Sequence, residues 1–155
     1  MNLSKGKSGF LKMFSNYSEI KCKLWLCLPA VVTHLFDSVV TLLGQSSKYW
    51  GGQYNQVAEG NPVSHFALAT HPLVYLVYTV FQFMIISVLI IVFPLLFSKI
   101  FSTAWTMGSA AGIISWLLGR FHIEFWIAGS TLFIPATILV YAFERCHRQM
   151  TLRDG

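Results

Sequence analysis

The chain has 155 residues, of which 55% are hydrophobic and only 11% charged. Soluble domains carry roughly 25% charged residues, so this composition excludes an ordinary soluble domain and points to a membrane protein. The formal charge of +5 comes from basic residues that flank apolar stretches and form no aromatic-studded patch. That pattern argues for orientation in a bilayer and against nucleic acid as a partner.

In chain order, residues 1–23 read as a basic cytoplasmic tail. Lys5, Lys7, Lys12, Lys21 and Lys23 face a single acid, Glu19. Phe10, Leu11, Met13, Phe14 and Tyr17 add a weak amphipathic pattern, which leaves a short surface helix as the alternative to a mobile tail. The first span is predicted over residues 24–44, and its length of about 21 residues is enough to cross a hydrocarbon core. It reads as a retained helix and not as a cleaved leader. Its apolar core exceeds the usual ~7–15 residues of a leader, and it contains Asp37.

A long connection follows, from Gln45 to His71. Tyr49, Trp50 and Tyr54 suit a water–lipid interface. Asn61-Pro62 reads as a helix start, with Asn as the cap and Pro at the first helical position, and His71-Pro72 repeats the signal. A short helix over Pro62–Thr70, interfacial or re-entrant, is therefore expected before the second span. Further spans are predicted at 73–97, 101–119 and 125–143, with Ser98-Lys99-Ile100 as a short turn and Pro135 as a kink. Ala104, Gly108 and Gly112 form a small-residue stripe of the kind that lets membrane helices pack closely. Residues 145–155 form a second basic tail.

The fold expectation is thus all-α: a polytopic membrane protein with four transmembrane helices within residues 24–144, plus the short helix after the first loop. The amino-terminal stretch holds five lysines and the carboxyl-terminal tail three arginines. With Lys99 in a short turn, positive residues place both termini in the cytoplasm of a cell membrane and the long loop outside. The three cysteines, Cys22, Cys27 and Cys146, show no metal or redox spacing, so unpaired, unreactive thiols are expected.

Helical spacing groups His34, Asp37, Ser38 and Thr41 on one face of the first span, and Tyr75, Tyr78, Thr79 and Gln82 on one face of the second. Counted at 1.5 Å per residue, Asp37 and Tyr78 both lie roughly 10 Å below the outer ends of their helices, and His34 and Gln82 roughly 15 Å. The two polar faces are expected to meet, with a tyrosine or Gln82 bonded to the Asp37 carboxylate. An intramembrane acid is costly unless it is neutral or paired.

Two readings of this cluster stay open. One is a structural polar network. The other is a site in which Glu59, Asn61, His65 or His71 folds over from the loop. No G-x-S-x-G, phosphate loop or H-E-x-x-H motif accompanies it. The leading expectation is a non-enzymatic structural or accessory membrane subunit, with the lipid bilayer, a membrane-protein partner or a second copy as its surroundings. The alternatives are an ion, proton or metal transporter or sensor built on Asp37 and Glu59, and a metal-dependent membrane enzyme. No cofactor is expected, except that a metal ion on the latter alternatives would be held by His34, Asp37, Glu59 and His65.

Phe36-Asp37, Thr41-Leu42-Leu43-Gly44 and Glu59-Gly60-Asn61-Pro62 together resemble a family of small prokaryotic membrane proteins classed as a domain of unknown function. Its marks are an intramembrane Asp, a downstream Thr and a Glu-x-Asn-Pro signature opening the next helix. The resemblance covers about residues 24–94. It implies a bacterial or archaeal integral membrane protein, and carries over Asp37, Thr41, Glu59, Asn61 and Pro62 without implying an activity.

Overall fold

In the computed structural model, the described residues are 4–154 for the backbone and 17–151 for the side chains. These residues are all-helical. The elements are α1 (Ser4–Leu43), α2 (Ser47–Trp50), α3 (Pro62–Thr70), α4 (Pro72–Val92), α5 (Leu95–Gly119), α6 (Phe125–Ser130) and α7 (Phe133–Asp154).

The 40-residue α1 is the central element, and α4, α5 and α7 all pack against it. The backbone is helical from Ser4 onward and runs without a break into the first span, as part of one long helix and not as a separate short one. The side chains of Phe10, Leu11, Met13 and Phe14 lie outside the described residues. Pro29 is fully buried within α1, and the Thr33 hydroxyl donates to the Pro29 carbonyl at 2.7 Å.

Contacts at both ends fix an up-down-up-down order. At one end Lys23 Nζ donates to the Ile91 carbonyl at 3.1 Å, the Ser102 hydroxyl donates to the Leu26 carbonyl at 2.6 Å, and Cys22 is bonded to Cys146. At the other end Arg120 Nε donates to the Gly44 carbonyl at 2.8 Å. α5 therefore covers the same height as its neighbours.

Three helices are long and apolar enough to cross a membrane: Tyr17–Leu43, Pro72–Val92, and the α6–α7 stretch Phe125–Thr151. α5 is 25 residues long but is not among them. Its inner face carries Ser98, Ser102, Thr106 and Ser109, all buried, and these hydroxyls dilute its apolar character. The distribution is inverted relative to a soluble protein. Hydroxyls and His34 are inside, while Val77, Phe81, Met84 and Val88 face outward from α4. That is the arrangement expected where the surrounding solvent is hydrocarbon.

Several boundaries differ from expectation. The turn between the second and third long helices is Phe93-Pro94, and Ser98-Lys99-Ile100 lies inside α5. Proline pushes the residue before it out of the helical region, and Phe93 is extended at φ −68°, ψ 156°. The last span breaks at Thr131-Leu132, which leaves Pro135 in the first turn of α7, where its missing N–H costs nothing. The unpaired-thiol expectation is also corrected. Cys22 and Cys146 form a disulfide with Cα atoms 4.1 Å apart, while Cys27 is free and buried. A pairing across 124 residues depends on α1 meeting α7, which local spacing does not report.

Candidate functional site

α1, α4, α5 and the long loop line a half-open polar cavity of about 440 Å³. From α1 it receives His34, Asp37 and Thr41, and from the loop and α3 Glu59, Asn61 and Ser64. α4 contributes Tyr75 and Gln82. The α5 wall is Phe101, Trp105 and Trp116 interleaved with Ala104, Gly108 and Gly112.

His34 anchors the inner end. Its Nε2 lies 3.1 Å from Gln82 Oε1, so the polar faces of α1 and α4 meet at the depth where the residue count puts them. With Nε2–H donating to that amide oxygen, Nδ1 is left to accept from the Ser109 hydroxyl at 3.5 Å. The ring sits edge-on to Phe83 and Trp105, with centroids 5.3 and 5.6 Å away. Both imidazole nitrogens are thus engaged within the protein.

Asp37 differs from expectation in its partners. Among the described residues no side chain is hydrogen-bonded to its carboxylate, because Gln82 is taken by His34. Of the two tyrosines expected on this face of α4, Tyr75 is the buried one and lies beside Ser38 and Thr41. Tyr78 instead packs on the loop cluster. Asp37 faces α5 at Gly112, where an added Cβ would stand 2.5 Å from Oδ1 and 3.0 Å from Cγ. Glycine there is what gives the carboxylate its room. Ala104 and Gly108 are exposed and form cavity wall, so the seam with α1 is made by the hydroxyl stripe.

The loop that brings Glu59 over the cavity is a packed unit. Tyr49 is fully buried and its hydroxyl donates to the Leu68 carbonyl at 3.1 Å. Tyr54 stacks edge-on between Tyr49 and His71, at 5.4 and 5.1 Å. Burial raises the Tyr49 phenol above its ordinary range, and Tyr54 and Tyr75 add to the shift. Gln45, buried just past the end of α1, clamps the loop. Its Oε1 accepts from the Ala58 N–H at 3.0 Å, and its Nε2 donates to the Ala58 carbonyl at 3.5 Å and the Thr41 carbonyl at 2.9 Å.

The Glu59–Pro62 motif has a local explanation too. Glu59 Oε1 accepts from the Asn61 N–H at 2.7 Å. Asn61 Oδ1 caps α3 by accepting from the Val63 and Ser64 N–H groups at 3.0 and 3.4 Å. His65 turns back so that Nδ1 meets the Glu59 carbonyl at 3.2 Å, and His71 caps α4 through Leu73 N–H. Neither histidine joins His34. Among the described residues no three of His, Cys, Asp and Glu converge as a metal site would require.

Gln45, Ser109, Trp105 and Trp116 were not among the expected site residues, whereas Tyr75 was on the expected polar face of α4. A signal existed for α5: Phe101, Trp105, Gly112 and Trp116 recur at helical spacing on one face. Trp116 sits so close to Gly44 that a Cβ there would overlap its ring. Two buried polar atoms, Thr79 Oγ1 and Trp105 Nε1, have no partner among the described residues.

No family model, curated protein or solved structure matches this chain.

Proposed function

We propose that this chain is a four-span integral membrane protein that binds a cation between Asp37 and Glu59, as a transporter or sensor of cationic solutes. The observation that carries the reading is that two carboxylates from separate elements share one cavity, one given room by Gly112 and the other held over it by the Gln45 clamp. Partly buried carboxylates in a cavity lined by no lysine or arginine attract positive charge. Counting α5 as the fourth span is supported by its length and by its contacts with both ends of α1. Lys21, Lys23, Lys99, Arg145 and Arg148 belong to the Cys22–Cys146 end, which favours both termini on the cytoplasmic side and an outward-facing cavity. Kinship with the small prokaryotic membrane family is part of the same proposal, on Asp37, Thr41 and Glu59–Pro62.

The test is calorimetric titration of the purified full chain with monovalent cations, repeated in Asp37→Asn and Glu59→Gln. Binding at least about tenfold weaker in Asp37→Asn is expected, since a charged contact contributes ~1.5–3 kcal/mol. Affinity unchanged in both variants would overturn the reading. A second reading, an accessory subunit that docks a partner helix, is favoured by the exposed Ala104 and Gly108 on α5. Cross-linking from Gly108→Cys to a co-purified protein is its test. The metal-enzyme alternative draws no support from a site in which His34 is already doubly engaged.

A further inference from the structure

We propose that the cation held between Asp37 and Glu59 is an organic ammonium compound and not a bare metal ion. The inference rests on the cation-binding reading above and goes further by naming the chemical class.

Size is the first argument. A bare ion bound by two carboxylates needs no more room than its coordination shell, whereas this cavity measures about 440 Å³. That lies within the roughly 300–1,000 Å³ of sites for small organic molecules. Ligand count is the second. A transition metal is held by converging imidazole, thiolate and carboxylate groups, and no third His, Cys, Asp or Glu converges here among the described residues. The imidazole nearest to Asp37 has spent both nitrogens on Gln82 and Ser109.

The wall chemistry is the third argument. The same cavity is lined by Phe101, Trp105, Trp116 and Tyr75. Aromatic faces attract ammonium groups through the ring quadrupole and also cover alkyl substituents, whereas a strongly hydrated inorganic cation loses its water there without compensation. A carboxylate beside aromatic rings is the combination that suits a charge carried on an apolar body.

The shape of α5 supplies the fourth argument. Gly108 lines the cavity, and a Cβ built on it meets nothing within 4 Å. Space is therefore left open next to the aromatic wall, where an alkyl group can lie.

The experiment titrates the full chain in detergent with tetraethylammonium, choline, sodium and manganese(II), following tryptophan fluorescence and heat. The variants are Asp37→Asn, Trp105→Leu and Gly108→Leu. Leucine at position 108 fills the open space while improving helix propensity, so the fold survives. The expected result is saturable tetraethylammonium or choline binding that weakens at least about tenfold in Asp37→Asn and at least about tenfold in Gly108→Leu, with a loss of about fivefold in Trp105→Leu. Saturable, Asp37-dependent binding of sodium or manganese(II) that is indifferent to Gly108→Leu and Trp105→Leu, without ammonium binding, overturns the inference and leaves the cation-binding reading standing. Binding of none of the four probes overturns both. Ammonium binding that is insensitive to Asp37→Asn and Gly108→Leu places the ligand elsewhere and also overturns it.

Discussion

Replacing Gln45 by alanine should release the loop that carries Glu59. The side chain is buried and makes three hydrogen bonds: one from Ala58 N–H at 3.0 Å, one to the Ala58 carbonyl at 3.5 Å, and one to the Thr41 carbonyl at 2.9 Å. The 3.5 Å contact contributes least, because hydrogen bonds weaken with distance. The Ala58 N–H matters most, since truncation leaves a part-buried donor without an acceptor. A net bond is worth about 1 kcal/mol, and a stranded buried group costs ~1–3 kcal/mol. Partial solvent access at Ala58 puts the expected loss at about 1–2 kcal/mol, a factor of roughly 5–30 in the local opening equilibrium.

Hydrogen exchange over residues 57–60, measured in the detergent-solubilised chain, reads that opening directly. Protection there should fall by about 5–30-fold while protection in the middle of α1 is unchanged. Gln53→Ala, an exposed position on the same loop, is the control and should leave protection as it is. Equal protection in wild type and Gln45→Ala would refute the clamp, and with it the account of how Glu59 is held over the cavity.

Gly112→Ala places a methyl group 2.5 Å from Asp37 Oδ1 and forces the carboxylate to turn. Because alanine is about 1 kcal/mol better than glycine inside a helix, the unfolding midpoint should hold or rise while affinity for the bound cation falls at least about tenfold, a divergence that calorimetry and a denaturation curve would reveal together. The Cys22–Cys146 bond closes a separation of 124 residues, and for loops of that order the chain-entropy stabilisation is about 4–5 kcal/mol. Reduction, or Cys22→Ser, should therefore lower the unfolding midpoint, and Cys27→Ser should not; the change in gel mobility on reduction identifies the pair. Tyr49 has a phenol raised by burial, which means the folded loop holds the proton more tightly than the unfolded chain. Its contribution is complete below the ordinary tyrosine value of about 10 and is lost as pH rises through the folded value. Loop protection should accordingly fall above about pH 10, and Tyr49→Phe should remove that dependence.

Patterns that local chemistry dictates were legible in the chain itself. Low charge and long apolar runs announced membrane helices, because hydrocarbon penalises charge wherever it falls. Asn61-Pro62 and His71-Pro72 marked the starts of α3 and α4, because capping and the fixed φ of proline act over two or three residues. Helical periodicity put His34 and Gln82 at matching depth, and they meet at 3.1 Å. The turn expected at Ser98-Lys99-Ile100 lies instead at Phe93-Pro94, because the steric demand of Pro94 pushes Phe93 out of the helical region.

The tertiary structure decided what depends on several elements at once. The Ala104–Gly108–Gly112 stripe is indistinguishable in sequence from a packing seam. Only the positions of α1 and α4 turn it into a cavity wall, with Gly112 making room for Asp37. Periodicity puts Tyr75 and Tyr78 on one face, and only the packing of α4 against α1 and the loop decides that Tyr75 is buried while Tyr78 lies against the loop cluster. Gln45 and Ala58, like Cys22 and Cys146, carry no mark of their pairing, since each pair is joined by the way the chain folds back on itself and not by its local sequence.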